Sequence, residues 1–85
     1  MDTPAGWTVK DGKLMRSYTF ASFMEAFSFI CNIGTLAEEL NHHPEIWNSY
    51  NKVTLTLFTH DAHALTDKDY ELAQKINEFS TTSSS

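Results

Sequence analysis

The dipeptide Asp11-Gly12 places the tightest constraint on how this chain folds, because it separates two short runs that have the composition of β-strands. Asp-Gly between such runs is a strong hairpin signal, since both central positions of the favoured turn need a positive φ. The sequence therefore predicts a β-hairpin made of residues 7–10 and 13–20. A change from period two to a helical period follows this hairpin, so the chain is not a simple all-β protein.

A second pair of strands is predicted from residues 45–50 and 52–59, with a turn near Asn51. In the later strand aliphatic residues alternate with threonines and Phe58, which puts one set on each face of a sheet. We expect the aliphatic face to meet the helices, and the threonine face to be partly solvated or to face a subunit. The aliphatic face carries Val53, Leu55 and Leu57, and the other face carries Thr54, Thr56 and Phe58.

A long helix is predicted between the two hairpins, from about Ser22 to Leu40. Ser22 and Glu25 form a capping box at its start, and it ends before Pro44 because the residue preceding proline avoids helical backbone angles. Its apolar residues cover more than one face, so this helix needs cover beyond a single sheet face. They are Phe20, Phe23, Met24, Phe27, Ile30, Cys31, Gly34 and Ala37.

A final helix is predicted after Thr66, which is its N-cap, with Asp69 at the third helical position. The plain interpretation of Asp69 is that its carboxylate only bonds the Thr66 amide and so caps the helix. Its buried stripe is predicted to contain Leu72, Ala73, Ile76 and Phe79. The order β-β-α-β-β-α predicts an α+β fold in two layers, a four-stranded antiparallel sheet with helices packed on one face. We expect one domain over residues 1–79 and a disordered polar tail over residues 80–85.

Composition argues against several classes of protein. The formal net charge is -5 and lysine and arginine do not cluster, so we expect no direct binding to nucleic acid. The sequence shows no signal peptide and no apolar run long enough to cross a bilayer, so we expect no membrane association. The single cysteine, Cys31, is predicted to be a buried, inert thiol, which fits a reducing compartment. We expect a cytoplasmic location, and a nuclear one as well in a eukaryote.

Three of the four histidines stand at the ends of predicted elements, where catalytic groups are commonly placed. His42 and His43 follow the first helix, next to Pro44, and His60 follows the last strand. Imidazole donates and accepts protons near neutral pH, so this group indicates general acid/base catalysis without a covalent nucleophile. The plain alternative is a helix C-terminus decorated with histidine, which the helix dipole favours. A zinc site that adds Glu38 is disfavoured, because adjacent histidines rarely chelate one ion.

A longer pattern joins these histidines to other residues between about Trp7 and Phe79. It consists of Glu38, Asn41-His42-His43-Pro44, Trp47, Tyr50, Thr59-His60-Asp61 and Leu65-Thr66-x-x-Asp69. This pattern resembles the pterin-4a-carbinolamine dehydratases, a family known in animals also as a dimerization cofactor of a homeodomain transcription factor. The resemblance implies the same α+β architecture, normally with a further helix before Trp7, which we expect to be absent or shortened here.

The resemblance also implies an activity: dehydration of 4a-hydroxy-tetrahydropterin to quinonoid dihydropterin and water, which recycles the tetrahydropterin, with no metal and no cofactor. It implies that His42, His43 and His60 are catalytic, with His42 and His60 as the acid/base pair in either order and His43 positioning the pterin. Asp69 and Glu38 are expected to set tautomers, and the spacing of four residues allows Glu38 to contact His42. The remaining supporting residues are Asn41, Pro44, Thr59 and Asp61.

Two other functions stay open. The excess apolar surface of the first helix suggests a small oligomeric interaction module that binds a transcription factor or another protein. Phe58 and Ala64 stand where the family tends to carry a small polar residue and glycine, which suggests a dehydratase for another cyclic carbinolamine. The resemblance further implies a homodimer or homotetramer.

Overall fold

The structure is a computed structural model that describes the backbone of residues 2–83 and the side chains of residues 2–79. Four strands and two α-helices follow one another in the predicted order, which confirms the α+β fold. A short 3-10 turn, His60–Ala62, separates the last strand from the last helix. The elements are β1 (Thr8–Lys10), β2 (Lys13–Thr19), α1 (Phe23–Leu40), β3 (Glu45–Ser49), β4 (Lys52–Leu57) and α2 (Asp67–Ser83).

The four strands form one antiparallel sheet in the order β1-β2-β4-β3. The two hairpins therefore join through their inner strands, β2 and β4, and β1 and β3 are the edges. The first turn has the predicted positive φ at Asp11 (54°) and Gly12 (75°). Asn51, in the second turn, ties the hairpins together, because its side-chain nitrogen donates to the Phe20 carbonyl at 2.8 Å.

The core lies between one face of the sheet and both helices. Its sheet side includes Leu14 together with the aliphatic face that alternation predicted on β4, and all of these side chains are fully buried. The predicted stripe of α2 is confirmed for its three fully buried members, and Phe79 packs against the core while partly exposed. These residues are Val53, Leu55 and Leu57 on β4, and Leu72, Ala73 and Ile76 on α2.

The buried face of α1 shares only Ala37 with the apolar residues that were singled out from the sequence. The helix buries Ala26, Phe29, Ile33 and Ala37, whereas Phe23, Met24 and Phe27 are 42, 65 and 48% exposed. Cys31 is exposed as well, so the prediction of a buried thiol was wrong. Several faces of this helix are similarly apolar, and periodicity alone does not choose among them. The small side chains of Ala26 and Ala37 mark the face that lies closest to the core.

The two end segments of the described chain take different structures. Residues 2–7 contain no helix, yet Trp7 is only 6% exposed and its indole N–H donates to Asn77 Oδ1 on α2 at 2.9 Å. The backbone of residues 80–83 continues α2 where a disordered tail was predicted, because no glycine or proline after Phe79 stops the helix. Residues 84 and 85 of that predicted tail lie outside the described residues. No helix in the described part of the chain is long and apolar enough to cross a membrane.

Candidate active site

The pairing of β3 with β4 decides where the candidate residues meet. Glu45, the first residue of β3, lies opposite Thr56, near the end of β4. Because the two strands are antiparallel, residues 42–44 before β3 and residues 59–61 after β4 leave the sheet at the same end. Helix α2 begins only a few residues later, at Asp67. Residues 42–44 therefore meet two segments that follow them much later in the sequence, the loop after β4 and the start of α2.

Asn41 ends α1 and gives the chain its new direction. Its backbone is left-handed (φ 51°, ψ 42°), a conformation that asparagine tolerates better than most residues. The N–H groups of Asn41 and His42 bond the carbonyls of Glu38 at 3.2 Å and Ala37 at 3.0 Å. This is the arrangement of a Schellman helix end. The Asn41 side chain is exposed, so its observed role is to turn the backbone just before His42.

A buried carboxylate holds His42. Nε2 of His42 lies 2.5 Å from Oδ1 of Asp69, and the two side chains are 12 and 0% exposed. The other oxygen, Oδ2, accepts from the Thr59 hydroxyl at 2.7 Å and from the Thr66 backbone N–H at 3.0 Å. We call Thr59, Thr66, Asp69 and His42 the Asp69 network. Such complete pairing is what a buried carboxylate needs to remain charged.

The local sequence places Asp69 in this network. It is the third residue of α2, and its bond to the Thr66 N–H is the returning half of a capping box. The helix dipole adds a favourable field for a negative charge at this end. The cap uses Oδ2 and leaves Oδ1 for His42, so the capping interaction and the histidine contact coexist on one side chain.

Glu38 contacts a different histidine from the one predicted. Its Oε1 lies 3.5 Å from Nε2 of His43, and the two side chains are 78 and 56% exposed. The expected contact with His42 assumed that helical spacing continued to that residue, but the left-handed Asn41 interrupts it. Because both groups face water, the pair contributes little to stability. His43 is therefore more weakly held than His42.

His60 lies in the 3-10 turn after β4 and is exposed. Its ring packs edge-on against Phe58 with centroids 5.3 Å apart, and the same Phe58 ring has Lys13 Nζ 5.3 Å from its centroid. Ala64 forms a bridge with Thr59 that closes the loop. Phe58 and Ala64, which departed from the family pattern, thus support the loop that carries His60. Sequence reasoning missed the ring contact, although the i,i+2 spacing of two rings signals it.

The other candidates occupy the rim of this region. Pro44 is half-buried beside His43, and Asp61 and His63 are exposed, with His63 in a left-handed conformation (φ 53°). A cleft of about 420 Å³ lies nearby, lined by Thr59, Asp61, Ala62, Thr66, Asp67 and Lys68. It borders the Asp69 network at the two threonines, but its lining contains none of the histidines. We therefore define the candidate site by the imidazoles and not by this cleft.

The histidines and carboxylates of this region are not grouped as metal ligands. Within residues 2–79, no three side chains among histidine, cysteine, aspartate and glutamate are arranged to hold a metal ion. The contacts of His42 and His43 are instead pairwise, each with one carboxylate, Asp69 and Glu38 respectively.

Fold and site together define a class of protein: a small two-layer α+β domain with a histidine–carboxylate site. The site lies where the end of α1, the end of β4 and the start of α2 come together. A family model described as pterin 4 alpha carbinolamine dehydratase matches residues 1–79. The chain belongs to this family, and the resemblance predicted from the sequence is confirmed.

Relatives and solved structures agree with this assignment. A candidate pterin-4-alpha-carbinolamine dehydratase of Solibacter usitatus is 49% identical over 73 residues, which is 86% of this chain and 77% of the relative. One from Burkholderia ambifaria is 52% identical over 73 residues, covering 84 and 72% of the two chains. The crystal structure of a transcriptional coactivator/pterin dehydratase from Brucella melitensis has a TM-score of 0.82 at 39% identity, covering 87% of this chain and 81% of that one. A pterin dehydratase-like RuBisCO assembly factor of the α-carboxysome shares the fold, with a TM-score of 0.69 at 20% identity over 85 and 83% of the chains.

Proposed function

We propose that the protein dehydrates 4a-hydroxy-tetrahydropterin to quinonoid dihydropterin and so helps to recycle the tetrahydropterin. One observation carries this proposal: in a chain of the dehydratase family, His42 is bonded to the buried Asp69 at the sheet end where the His60 loop also begins. The observed contacts suit proton transfer, because an imidazole held by a buried carboxylate has a fixed orientation.

The reaction needs one proton acceptor and one proton donor. The C4a–O bond breaks with its electron pair going to oxygen, which takes a proton and leaves as water. N5 loses its proton, and the N–H electron pair forms the new double bond between N5 and C4a. No electrons are exchanged with a third molecule, so two positioned imidazoles are sufficient for the proton transfers.

We assign the two proton transfers to His42 and His60, and the positioning of the pterin to His43. His42 is nearly buried and held by Asp69, whereas His43 is exposed and only loosely paired with Glu38. Pro44, half-buried beside these residues, offers a rigid apolar wall for a flat ring. Asn41 and Asp61 complete the rim in this proposal, and Thr59 acts from within the Asp69 network.

The test is stopped-flow absorbance of 4a-hydroxy-tetrahydropterin decay. His42→Ala and His60→Ala are each expected to lower kcat by roughly 10²–10⁴-fold, the range of general acid/base catalysis. The matched control is His63→Asn, which removes an exposed imidazole from the same loop and suits the left-handed backbone at φ 53°. Turnover near the wild-type rate in both alanine variants would overturn the assignment, and a folded wild type without activity would overturn the proposed reaction.

A second candidate function rests on the surface of α1. Phe23 and Phe27 stack with their centroids 5.9 Å apart, and with Met24 and Cys31 they form an exposed apolar strip, which we call the α1 apolar face. Such a patch is typical of a surface that another protein covers. We propose that it mediates assembly into a homodimer or homotetramer, or contact with a protein partner. The Brucella relative is named both coactivator and dehydratase, so the two functions are compatible.

A further inference from the structure

We propose that Thr59 and Thr66 act through Asp69 to hold His42 in the tautomer that carries hydrogen on Nε2, and that Nδ1 of His42 is the atom that accepts the substrate proton. The tautomer follows from the hydrogen bonds of the free protein. Its catalytic consequence rests on the proposed dehydratase function.

The direction of each hydrogen bond in the Asp69 network follows from counting donors. The Thr66 backbone N–H can only donate, and it points to Oδ2 of Asp69. The Thr59 hydroxyl also lies 2.7 Å from Oδ2, and a carboxylate oxygen accepts, so the single Thr59 hydroxyl hydrogen is used there. The Thr66 hydroxyl is 2.7 Å from the Thr59 oxygen and must therefore be the donor of that pair. The hydrogens thus point from Thr66 to Thr59 to Asp69.

This arrangement suits a charged Asp69. Two donors already occupy Oδ2, and the carboxylate lies at the start of α2, where the helix dipole favours negative charge. The remaining oxygen, Oδ1, then accepts from the imidazole at 2.5 Å, which requires a hydrogen on Nε2 of His42. A neutral imidazole has only one N–H, so the lone pair lies on Nδ1. Among the side chains of residues 2–79 and the described backbone, Nδ1 of His42 has no hydrogen-bond partner.

His42 is thereby assigned the base, and His60 the acid. When Nδ1 takes the N5 proton, the resulting imidazolium is bonded to the Asp69 carboxylate, which stabilises the positive charge. His60 has no carboxylate partner within hydrogen-bonding distance in the described residues, and its exposed ring can exchange protons with solvent. Thr59 is a positioning residue in this account: it orients Asp69, and through Asp69 it orients His42, without touching the pterin.

The first experiment reads the tautomer directly. Long-range ¹H–¹⁵N NMR of the wild-type protein, without substrate, distinguishes a protonated ring nitrogen from one with a lone pair. We expect neutral His42 to show the hydrogen on Nε2. In Asp69→Asn, the amide oxygen can still accept from Thr59 and Thr66, so the amide NH₂ faces His42 and should shift the hydrogen to Nδ1. This variant is expected to lower kcat on the order of 10²–10⁴-fold, because the proton acceptor is blocked.

The second experiment measures the contribution of the Thr59 hydroxyl. Thr59→Val keeps the shape of the side chain and removes its hydrogen bond, and Thr59→Ser restores the hydroxyl. We expect Thr59→Val to lower kcat by roughly 10–100-fold with little change in KM, the size of effect seen when a supporting hydrogen bond is lost. Thr59→Ser should recover most of the rate. Far-UV circular dichroism and urea unfolding establish that each variant is folded before its rate is compared.

Each outcome decides the proposal. A hydrogen on Nδ1 of wild-type His42 overturns it. So does a Thr59→Val variant that keeps the wild-type kcat, or one that changes only KM, since that result makes Thr59 a substrate contact. A wild type that shows the Nε2 tautomer but no turnover contradicts the proposed reaction and the catalytic role of Nδ1, while the Asp69 network stands.

Discussion

Asp69 illustrates how much one side chain contributes in a chain of this size. Its two oxygens bond three different groups, and the side chain has no exposure to solvent. Its removal would leave the Thr59 hydroxyl, the Thr66 N–H and the His42 ring without their acceptor. The Thr66–Asp69 cap was predictable because it is local. The bond to His42 was not, since the two residues are 27 positions apart and meet only after β3 pairs with β4.

Two glycines are expected to respond in opposite ways to alanine. Gly6 has φ +85°, and a Cβ there would lie 2.6 Å from the Arg16 guanidinium carbon, so Gly6→Ala combines backbone strain with displacement of Arg16 from Asn77. We expect a loss of about 1–3 kcal/mol in the free energy of unfolding. Gly34 lies inside α1 with open space around it, and Gly34→Ala should gain about 0.5–1 kcal/mol.

Urea denaturation of both variants and of the wild type provides the measurement, with the slope of each transition compared to exclude changes in the unfolded state. An unchanged midpoint for Gly6→Ala would show that Arg16 moves without cost and that the backbone strain is absent.

At the scale of elements, local sequence signals predicted where strands, turns and helices begin and end better than they predicted which face of a helix is buried. The Asp11-Gly12 turn and the Ser22 cap were readable because a turn or cap needs particular residue types, and the Glu25 N–H indeed bonds the Ser22 hydroxyl at 3.2 Å. The orientation of α1 was not readable, because Phe27 and Phe29 are equally apolar and only packing selects Phe29. The predicted contact between Glu38 and His42 is not formed for a related reason. The prediction extended helical spacing past Asn41, the left-handed residue that ends the helix.

Asn41 offers a test of this helix end. Asn41→Gly is expected to leave the free energy of unfolding nearly unchanged, because glycine adopts the left-handed conformation freely, whereas Asn41→Ala should cost about 1–2 kcal/mol. If the residue serves only to turn the chain, Asn41→Gly keeps its kcat and KM. A stable Asn41→Gly variant with a raised KM would instead make the amide a substrate contact. Thermal unfolding and steady-state kinetics on the same preparations separate the two cases.

At the scale of the whole molecule, the exposed apolar residues are unevenly distributed. Most large ones lie on the α1 apolar face or on the β3 hairpin, where Ile46, Trp47 and Tyr50 are 40, 55 and 67% exposed. A chain of 85 residues buries a smaller share of its surface than a larger domain does, so association would add stability to this fold. The sequence indicated that α1 has more apolar surface than the core can bury, but only the packing showed which residues remain exposed.

Self-association through the α1 apolar face predicts a stability that rises with protein concentration. Phe27→Ser is expected to abolish this dependence and to reduce the sedimentation coefficient, since the side chain is 48% exposed and contributes little to the core. Asn32→Gln is the matched control, because Asn32 is exposed on the same helix but away from that face. Sedimentation velocity and urea unfolding at several concentrations provide the readout. A wild type that sediments as a monomer throughout would contradict the assembly.

The two tryptophans give the protein a built-in pair of optical probes. Trp7 is buried and bonded to Asn77 on α2, whereas Trp47 is 55% exposed on the edge strand β3. A shielded indole emits at shorter wavelength than a solvated one and is less accessible to iodide, so the fluorescence of the folded chain is the sum of two separable components. Undocking of residues 2–7 from α2 would shift the emission of Trp7, and pairing of β3 with another chain would protect Trp47 from quenching. Fluorescence measurements on one sample can thus distinguish undocking of residues 2–7 from binding of another chain at β3.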